Sequence, residues 1–322
     1  MTRYLVTGGA GFIGSNFVRT VLSEESGAAV TNLDLLTYAG VKATVGELDE
    51  LSGHRFVHGD IRDRDLVEEL MPGHDVVVNF AAESHVDRSI DGPVVFAETN
   101  LVGTAVLIDA ARRHDVPLFV QVSTDEVYGS IEDGFASESG VLEPSSPYSA
   151  SKAAADLYVR SYGVTYGYRA IVTRCTNNYG PYQFPEKVIP LFVTNLMEGR
   201  KVPLYGTGRN ERDWLHVDDH VAALRLLIEE GTPGEIYNIG ANAQVTNLEL
   251  TRRILAAFGR DESSITYVTD RPGHDLRYAV DSSKIRALGW APTGTLDERL
   301  AETIDWYRRR EDWWRPLKGE RG

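Results

Sequence analysis

Tyr4-Leu5-Val6-Thr7-Gly8-Gly9-Ala10-Gly11-Phe12-Ile13-Gly14 lies at the head of the chain, an apolar run that passes into glycines and then into a helical pattern lasting to Leu22. Gly9, Gly11 and Gly14 satisfy G-x-G-x-x-G, and they fall between strand and helix, where that pattern has a mechanism. The first glycines allow a tight turn and let a pyrophosphate approach backbone N–H groups. The last lets the helix pack closely on the strand, its N-terminus facing the anion. A second apolar run, 28–33, ends in Asp34, 20 residues after Gly14. A carboxylate so placed accepts hydrogen bonds from an adenosine ribose and repels a 2′-phosphate, which predicts NAD rather than NADP.

Working outward, strands are expected at 55–58, 75–80 and 118–122, with helices at 63–70 and 94–113. Such alternation predicts a parallel sheet with helices on both faces and ligands at the carboxyl ends of the strands. Asp60, the run 81–85 and Ser123-Thr124-Asp125-Glu126 all fall at those ends. A helix is expected at 148–166, behind the loop Glu143-Pro144-Ser145-Ser146-Pro147, then a strand at 169–174 and a polar, turn-rich loop at 176–182. Beyond Phe184 the rhythm loosens: helices at 189–198, 218–229, 247–258, 282–288 and 296–309, strands at 202–205, 236–239 and 266–269, and a loop at 271–277. The fold class is α/β, a Rossmann-type doubly wound parallel sheet with a smaller mixed α/β C-terminal substrate lobe. Residues 1–183 form the NAD-binding domain, a segment at about 213–240 returns to it, and 184–322 are mainly the substrate lobe. Trp313 and Trp314 are costly to leave in water, so the tail is expected to dock on the body.

With 322 residues, 42% hydrophobic and 25% charged, the chain can bury a large core. Its net charge of −14, from 47 acidic and 33 basic residues, argues against nucleic acid and against an anionic membrane surface as partners. An anionic substrate would need a local basic pocket. The single cysteine, Cys175, excludes an intrachain disulfide and CxxC zinc sites. No charged-then-apolar leader opens the sequence, and no apolar run is expected to reach the roughly 20 residues that span a bilayer. A cytoplasmic protein is the expectation.

Tyr148 and Lys152 stand four residues apart, on one face of any helix that holds both. Tyrosine, with an ordinary pKa of about 10, is a poor base at neutral pH. A lysine ammonium one turn away and the cationic nicotinamide of NAD favour its phenolate. That phenolate could take the proton of a secondary alcohol while hydride leaves the same carbon. Asp125 and Glu126, adjacent acids after an apolar run, read equally as a helix start capped by Thr124 or as an acid–base pair. His216, His220, Asp218 and Asp219 look like a metal cluster on paper. Hydride chemistry needs no metal and the carboxylates suit helix capping, so none is expected.

The motifs Gly8 to Gly14, Asp60-Ile61, Ala81-Ala82-Glu83-Ser84-His85 and Tyr148/Lys152 resemble the extended short-chain dehydrogenase/reductase family, whose members act on nucleotide sugars. More narrowly, 81–89, 123–130, Arg174-Cys175-Thr176-Asn177-Asn178-Tyr179-Gly180-Pro181 and Arg271-Pro272-Gly273-His274-Asp275 resemble the dTDP-glucose 4,6-dehydratase family, over nearly the whole chain. Thr176 stands where that family more often has Ser or Cys. The resemblance implies that Tyr148 and Lys152 serve C4 oxidation. Glu126 would remove the C5 proton, Asp125 would protonate the departing C6 hydroxyl, and Thr124 would bond the C4 oxygen. Hydride would then return to C6. Asp125 would have to stay protonated, as a desolvated carboxyl beside a second one does.

It further implies that NAD contacts Gly8, Gly11, Phe12, Ile13 and Gly14, then Asp34, Leu35 and Thr37, then Asp60 and Ile61. Ala81, Ala82, Ser84 and Thr99 follow, with Ser123, Tyr148, Lys152 and Asn178 at the reactive end. dTDP-glucose would contact His85, Thr124, Asn177, Lys187 and Val188, together with Pro203, Tyr205, Arg212, Asn247, Arg271, His274 and Arg277. A homodimer through helices 94–113 and 148–166 is implied too. Rival readings are a nucleotide-sugar 4-epimerase, which has no need of Asp125 and Glu126, and a GDP-mannose dehydratase, against whose usual NADP Asp34 argues. A non-catalytic NAD-sensing regulator, which would tolerate loss of Tyr148 or Lys152, is the most distant.

Overall fold

The computed structural model describes residues 1–270 and 273–319. Seven strands pair in parallel: β1 (Arg3–Thr7), β2 (Ala29–Asp34), β3 (His54–His58), β4 (Val76–Asn79), β5 (Leu118–Thr124), β6 (Ala170–Cys175) and, later in the chain, Ile236–Ile239. Sheets covered by helices on both faces need strands apolar on both sides, and every residue of β5 and of β6 is buried. The period of two divides their side chains between layers. Val6, Val78 and Val120 join Phe17 and Leu224 in one core, while Leu5, Val77 and Phe119 join Leu107 and Val159 in the other.

β1 lies between β2 and β4, with Tyr4 opposite both Val30 and Val76. Chain order reverses there, from β1-β2-β3 on one side to β4-β5-β6 on the other, which opens a crevice beyond the strand ends.

The second half adds β7 (Asn177–Tyr179), β8 (Val202–Tyr205), β9 (Glu211–His216), β10 (Ile236–Ile239, the edge strand beside β6), β11 (Gln244–Thr246) and β12 (Ile265–Val268). β9 runs between β11 and β7 in a three-stranded sheet, and β8 pairs with β12. A third core gathers Ile189, Phe192, Trp214, Leu250 and Leu300 around the two tail tryptophans. Trp313 and Trp314 are both buried, the first donating to Thr44 Oγ1 and the second to the Tyr307 carbonyl.

Three features differ from expectation. β7, β9 and β11 occupy stretches where no strand is expected, β7 because 176–182 reads as a polar turn and β9 because Glu211-Arg212-Asp213 reads as a charged loop. Arg212 and Asp213 are nonetheless buried, their polar atoms spent on backbone: Arg212 on the Glu211 and Asp275 carbonyls, Asp213 on the Asn242 and Ala243 amides. Helices Lys42–Asp49, Val86–Asp91 and Glu311–Gly319 also lie where no element is expected.

The long helix Pro93–Arg113 contains a π-helical stretch, Ala97–Gly103. Its 21 residues and window hydropathy of 1.5 make it long and apolar enough to cross a membrane, contrary to the expectation that no run reaches that length. Half of that window is buried inside the fold, with Leu107, Ile108 and Ala111 filling the core against β4 and β5.

Candidate active site

The glycine turn is built by close approach. Gly8 adopts φ +74°, the left-handed region open to glycine, and a Cβ on Gly14 would lie 2.4 Å from the Gly8 carbonyl. At the tip of β2, Asp34 accepts from the Ala10 and Leu36 amides at 2.9 and 2.8 Å. Burial pushes its carboxyl up, while those two amides pull it down. Burial also pushes up Asp60, but hydrogen bonds from Arg62 outweigh it and hold the carboxyl below its ordinary range.

A cavity of ≈410 Å³ runs from this turn past the ends of β4, β5 and β6. Every position expected to contact the dinucleotide lines it, as do Thr124, Asp125 and Glu126. These residues fit NAD: a close-packed glycine turn for the diphosphate, an acid where the ribose falls, and an Arg62 already held by Asp60 and Glu98 rather than turned to a 2′-phosphate. The cavity wall also includes Tyr38, Glu83, Gln183, Phe184 and Glu186, which are not singled out from sequence. Tyr38 follows Asp34 in a strand-end loop, and that position was the available signal. The Arg88 guanidinium lies 3.8 Å over the Tyr38 ring and pairs with Glu186 at 3.4 Å, tying the helix Val86–Asp91 to two loops at the cleft.

At the reactive end Thr124 serves as the expected cap. It caps the 3₁₀ turn Asp125–Tyr128, accepting from the Glu126 amide at 3.2 Å, and it donates to Asp125 Oδ1 at 3.2 Å. Asp125 is 3% exposed, and its Oδ2 has no hydrogen-bond partner among the described residues. Burial and then the neighbouring Glu126 raise its carboxyl well above the ordinary range, with Arg212 pulling the other way. Both effects favour the protonated form of Asp125.

Tyr148 stands edge-on to Phe96, ring centres 6.4 Å apart. Contrary to the expectation that Lys152 draws its pKa down, burial and Glu126 raise it well above the ordinary value. The physical reason is desolvation, and the Lys152 ammonium is engaged elsewhere, donating to the Val122 carbonyl at 2.7 Å.

The residues assigned to the sugar nucleotide are more scattered. Asn177 and Lys187 line the cavity, Lys187 reaching the Ser84 carbonyl at 3.4 Å. His85, Val188, Pro203, Tyr205, Arg212, Asn247, His274 and Arg277 lie outside its wall. Arg212, stacked 4.2 Å over Tyr278, is near enough to act on Asp125. His274 bonds Asp270 at 2.6 Å and meets Tyr205 edge-on. Val188 and Asn247 open helices and Pro203 sits in β8. The Arg277 guanidinium is turned to structure, donating to Glu211 and to the Ile131 and Gly134 carbonyls. Arg271 lies outside the described residues. His216 and Asp219 cap and brace helix ends, and His220 bonds Asn178.

A doubly wound sheet with a glycine turn, Tyr148 and Lys152 on one helix face and acids at the next strand end define an extended short-chain dehydrogenase/reductase. A family model described as GDP-mannose 4,6 dehydratase matches residues 5–303, and the chain belongs to that family. It is 51% identical to the dTDP-glucose 4,6-dehydratase of Streptomyces niveus, over 98% of this chain and 96% of the other. It is 53% identical to that of Streptomyces antibioticus, over 98% and 95%. Among solved structures it is similar to DesIV, a dTDP-glucose 4,6-dehydratase from Streptomyces venezuelae with NAD and dTDP bound. The TM-score is 0.95 at 53% identity, covering 98% of this chain and 100% of the other.

Proposed function

We propose that this chain is an NAD-dependent hydro-lyase that converts dTDP-glucose to dTDP-4-keto-6-deoxyglucose and water. One observation carries the reading beyond the fold. A buried Asp125, whose carboxyl is pushed up by burial and by the adjacent Glu126, stands beside Glu126 in the cavity that also holds Tyr148 and Lys152. Relatives about half identical over nearly their whole length bear the name of that activity.

Bound NAD supplies the hydride acceptor for C4, a cationic ring that favours phenolate, and the hydride returned to C6. Tyr148 takes the C4 hydroxyl proton while Thr124 bonds the same oxygen. The resulting ketone acidifies C5–H. Glu126 removes that proton, and Asp125 gives its own to the C6 hydroxyl, which leaves as water; as hydride reaches C6, Glu126 gives its proton back to C5. C5 and C6 are bonded neighbours, so a base and an acid on adjacent residues suit an elimination across them. Lys187 in the wall, and Arg212 behind Asp125, offset the chain's net charge of −14 where a diphosphate is to be held.

The chain is read as a cytoplasmic homodimer. Val94 and Val102 on one long helix, with Leu157 and Val164 on the other, leave an apolar stripe exposed that a second copy would cover. Its only cysteine, Cys175, is buried and free, as a reducing compartment allows.

Incubation with dTDP-glucose, with UDP-glucose and GDP-mannose in parallel, tests the assignment. The 4-ketone should form from dTDP-glucose, and deuterium placed at C4 should reappear at C6. Turnover of another nucleotide sugar with none of dTDP-glucose would overturn the substrate, and loss of the label to solvent would overturn internal hydride return.

A further inference from the structure

Arg174 and Asp156 form an ion pair that no solvent reaches. Arg174 Nε donates to Asp156 Oδ2 at 2.9 Å, with side chains 1% and 0% exposed. No step above uses it. Two ions taken so deep lose their hydration, and an apolar pair of similar size is often as stable, so stability alone accounts for it poorly.

Its setting supplies another reason. Asp156 follows Lys152 by four residues and Tyr148 by eight on the helix Pro147–Tyr166, which places the three on one face. All are buried. Lys152 donates to the neutral Val122 carbonyl and makes no ion pair among the described residues. Burial lowers its pKa, and Asp156 is the largest influence opposing that, ahead of Cys175. The carboxylate is fixed from behind. Arg174 also donates to the Tyr128 hydroxyl at 2.8 Å, and that hydroxyl donates to Asn238 Oδ1 at 2.8 Å.

We propose that Asp156, anchored by Arg174, is a positioning residue for proton transfer at C4: its carboxylate keeps the buried Lys152 an ammonium, and so keeps a cation on the helix face of Tyr148. The inference rests on the roles given to Tyr148 and Lys152 above. Few other groups face this row. Arg174 and Cys175 come from β6, and burial pushes the Cys175 thiol up to about 12, so it stays neutral. β5 contributes the Val122 carbonyl and Ser123. The Ser123 hydroxyl pulls the Asp156 carboxyl down, though neither Ser123 Oγ nor Asp156 Oδ1 completes a hydrogen bond of ordinary geometry. Beyond Tyr148 stand Asp125 and Glu126, which act on the phenol.

Asp156→Asn keeps the shape and removes the charge. Arg174 then faces Lys152 uncompensated, and since a guanidinium does not deprotonate, the lysine must yield. The test measures kcat and KM for dTDP-glucose against pH in wild type, Asp156→Asn and Asp156→Asn/Arg174→Met, with thermal midpoints on the same preparations. In Asp156→Asn the alkaline limb of kcat should move to lower pH by ~1 unit or more, with KM unchanged. In the double variant, which lacks both charges, it should lie between that position and wild type. A folded single variant that loses kcat equally at every pH, or a limb that stays at the wild-type position in whichever variant folds, overturns the proposal. A wild-type enzyme that yields no 4-keto product sinks the functional reading instead.

Discussion

Lys152 Nζ and the carbonyl oxygen of Val122 stand 2.7 Å apart, and this bond ties the helix that carries Tyr148 to the strand that delivers Thr124 and Asp125. Lys152→Met keeps the stem but removes both the donor and the cation. We expect kcat to fall ~10²–10⁴-fold with little change in KM. Steady-state rates with dTDP-glucose decide it, and a loss under tenfold would remove Lys152 from the proton-transfer step.

Glu126→Gln separates elimination from oxidation. C4 oxidation should survive while dehydration falls ~10²–10⁴-fold, so reduced nicotinamide accumulates on the enzyme and is seen by its near-ultraviolet absorbance. A 4-epimerase would turn over at nearly the wild-type rate with this change.

Asp125 ties function to pH. Its folded-state pKa lies above the unfolded value, so between the two the native chain binds the proton and the unfolded chain does not. Stability from this group is full below about pH 4 and is lost as pH rises toward the folded value. Asp125→Asn has no such loss. Its thermal midpoint should exceed that of wild type at neutral pH, and the gap should close as pH falls to about 4. Dehydration should be lost at the same time. A gap independent of pH would show that the carboxyl is not held neutral.

Gly14→Ala places a methyl 2.4 Å from the Gly8 carbonyl, where only backbone can move. Overpacking of this kind costs ~1–3 kcal/mol, so NAD should bind about tenfold or more weakly. NAD released from the denatured, desalted protein measures it, and full occupancy would refute the close-packed turn.

Leu157→Glu sets a charge in the exposed stripe, where Leu157 is 52% and Val164 89% accessible. Sedimentation velocity should find dimers in wild type and monomers in the variant.

Legibility from sequence followed locality. The glycine turn, Asp34 and the Tyr148/Lys152 spacing are short-range patterns, and the sheet brings them to one cavity. β9 was hidden because Arg212 and Asp213 are charged yet buried, and only distant partners, Asp275 for one and Asn242 and Ala243 for the other, make that tolerable. The π-helical stretch was hidden for a like reason. Asn100, within it, reaches Ser151 at 2.8 Å, a contact no local periodicity encodes. Arg277 shows the converse, a loop arginine expected at the substrate and found turned to the carbonyls of Ile131 and Gly134.

The tail closes the molecule from far away: Trp313 reaches Thr44 across 269 positions, and Tyr307 grips the carbonyl of Gln183, part of the cavity wall, across 124. The Gln183 part of the wall is therefore braced by a side chain that never touches the cavity, so a change at Tyr307 reaches the site through one backbone carbonyl.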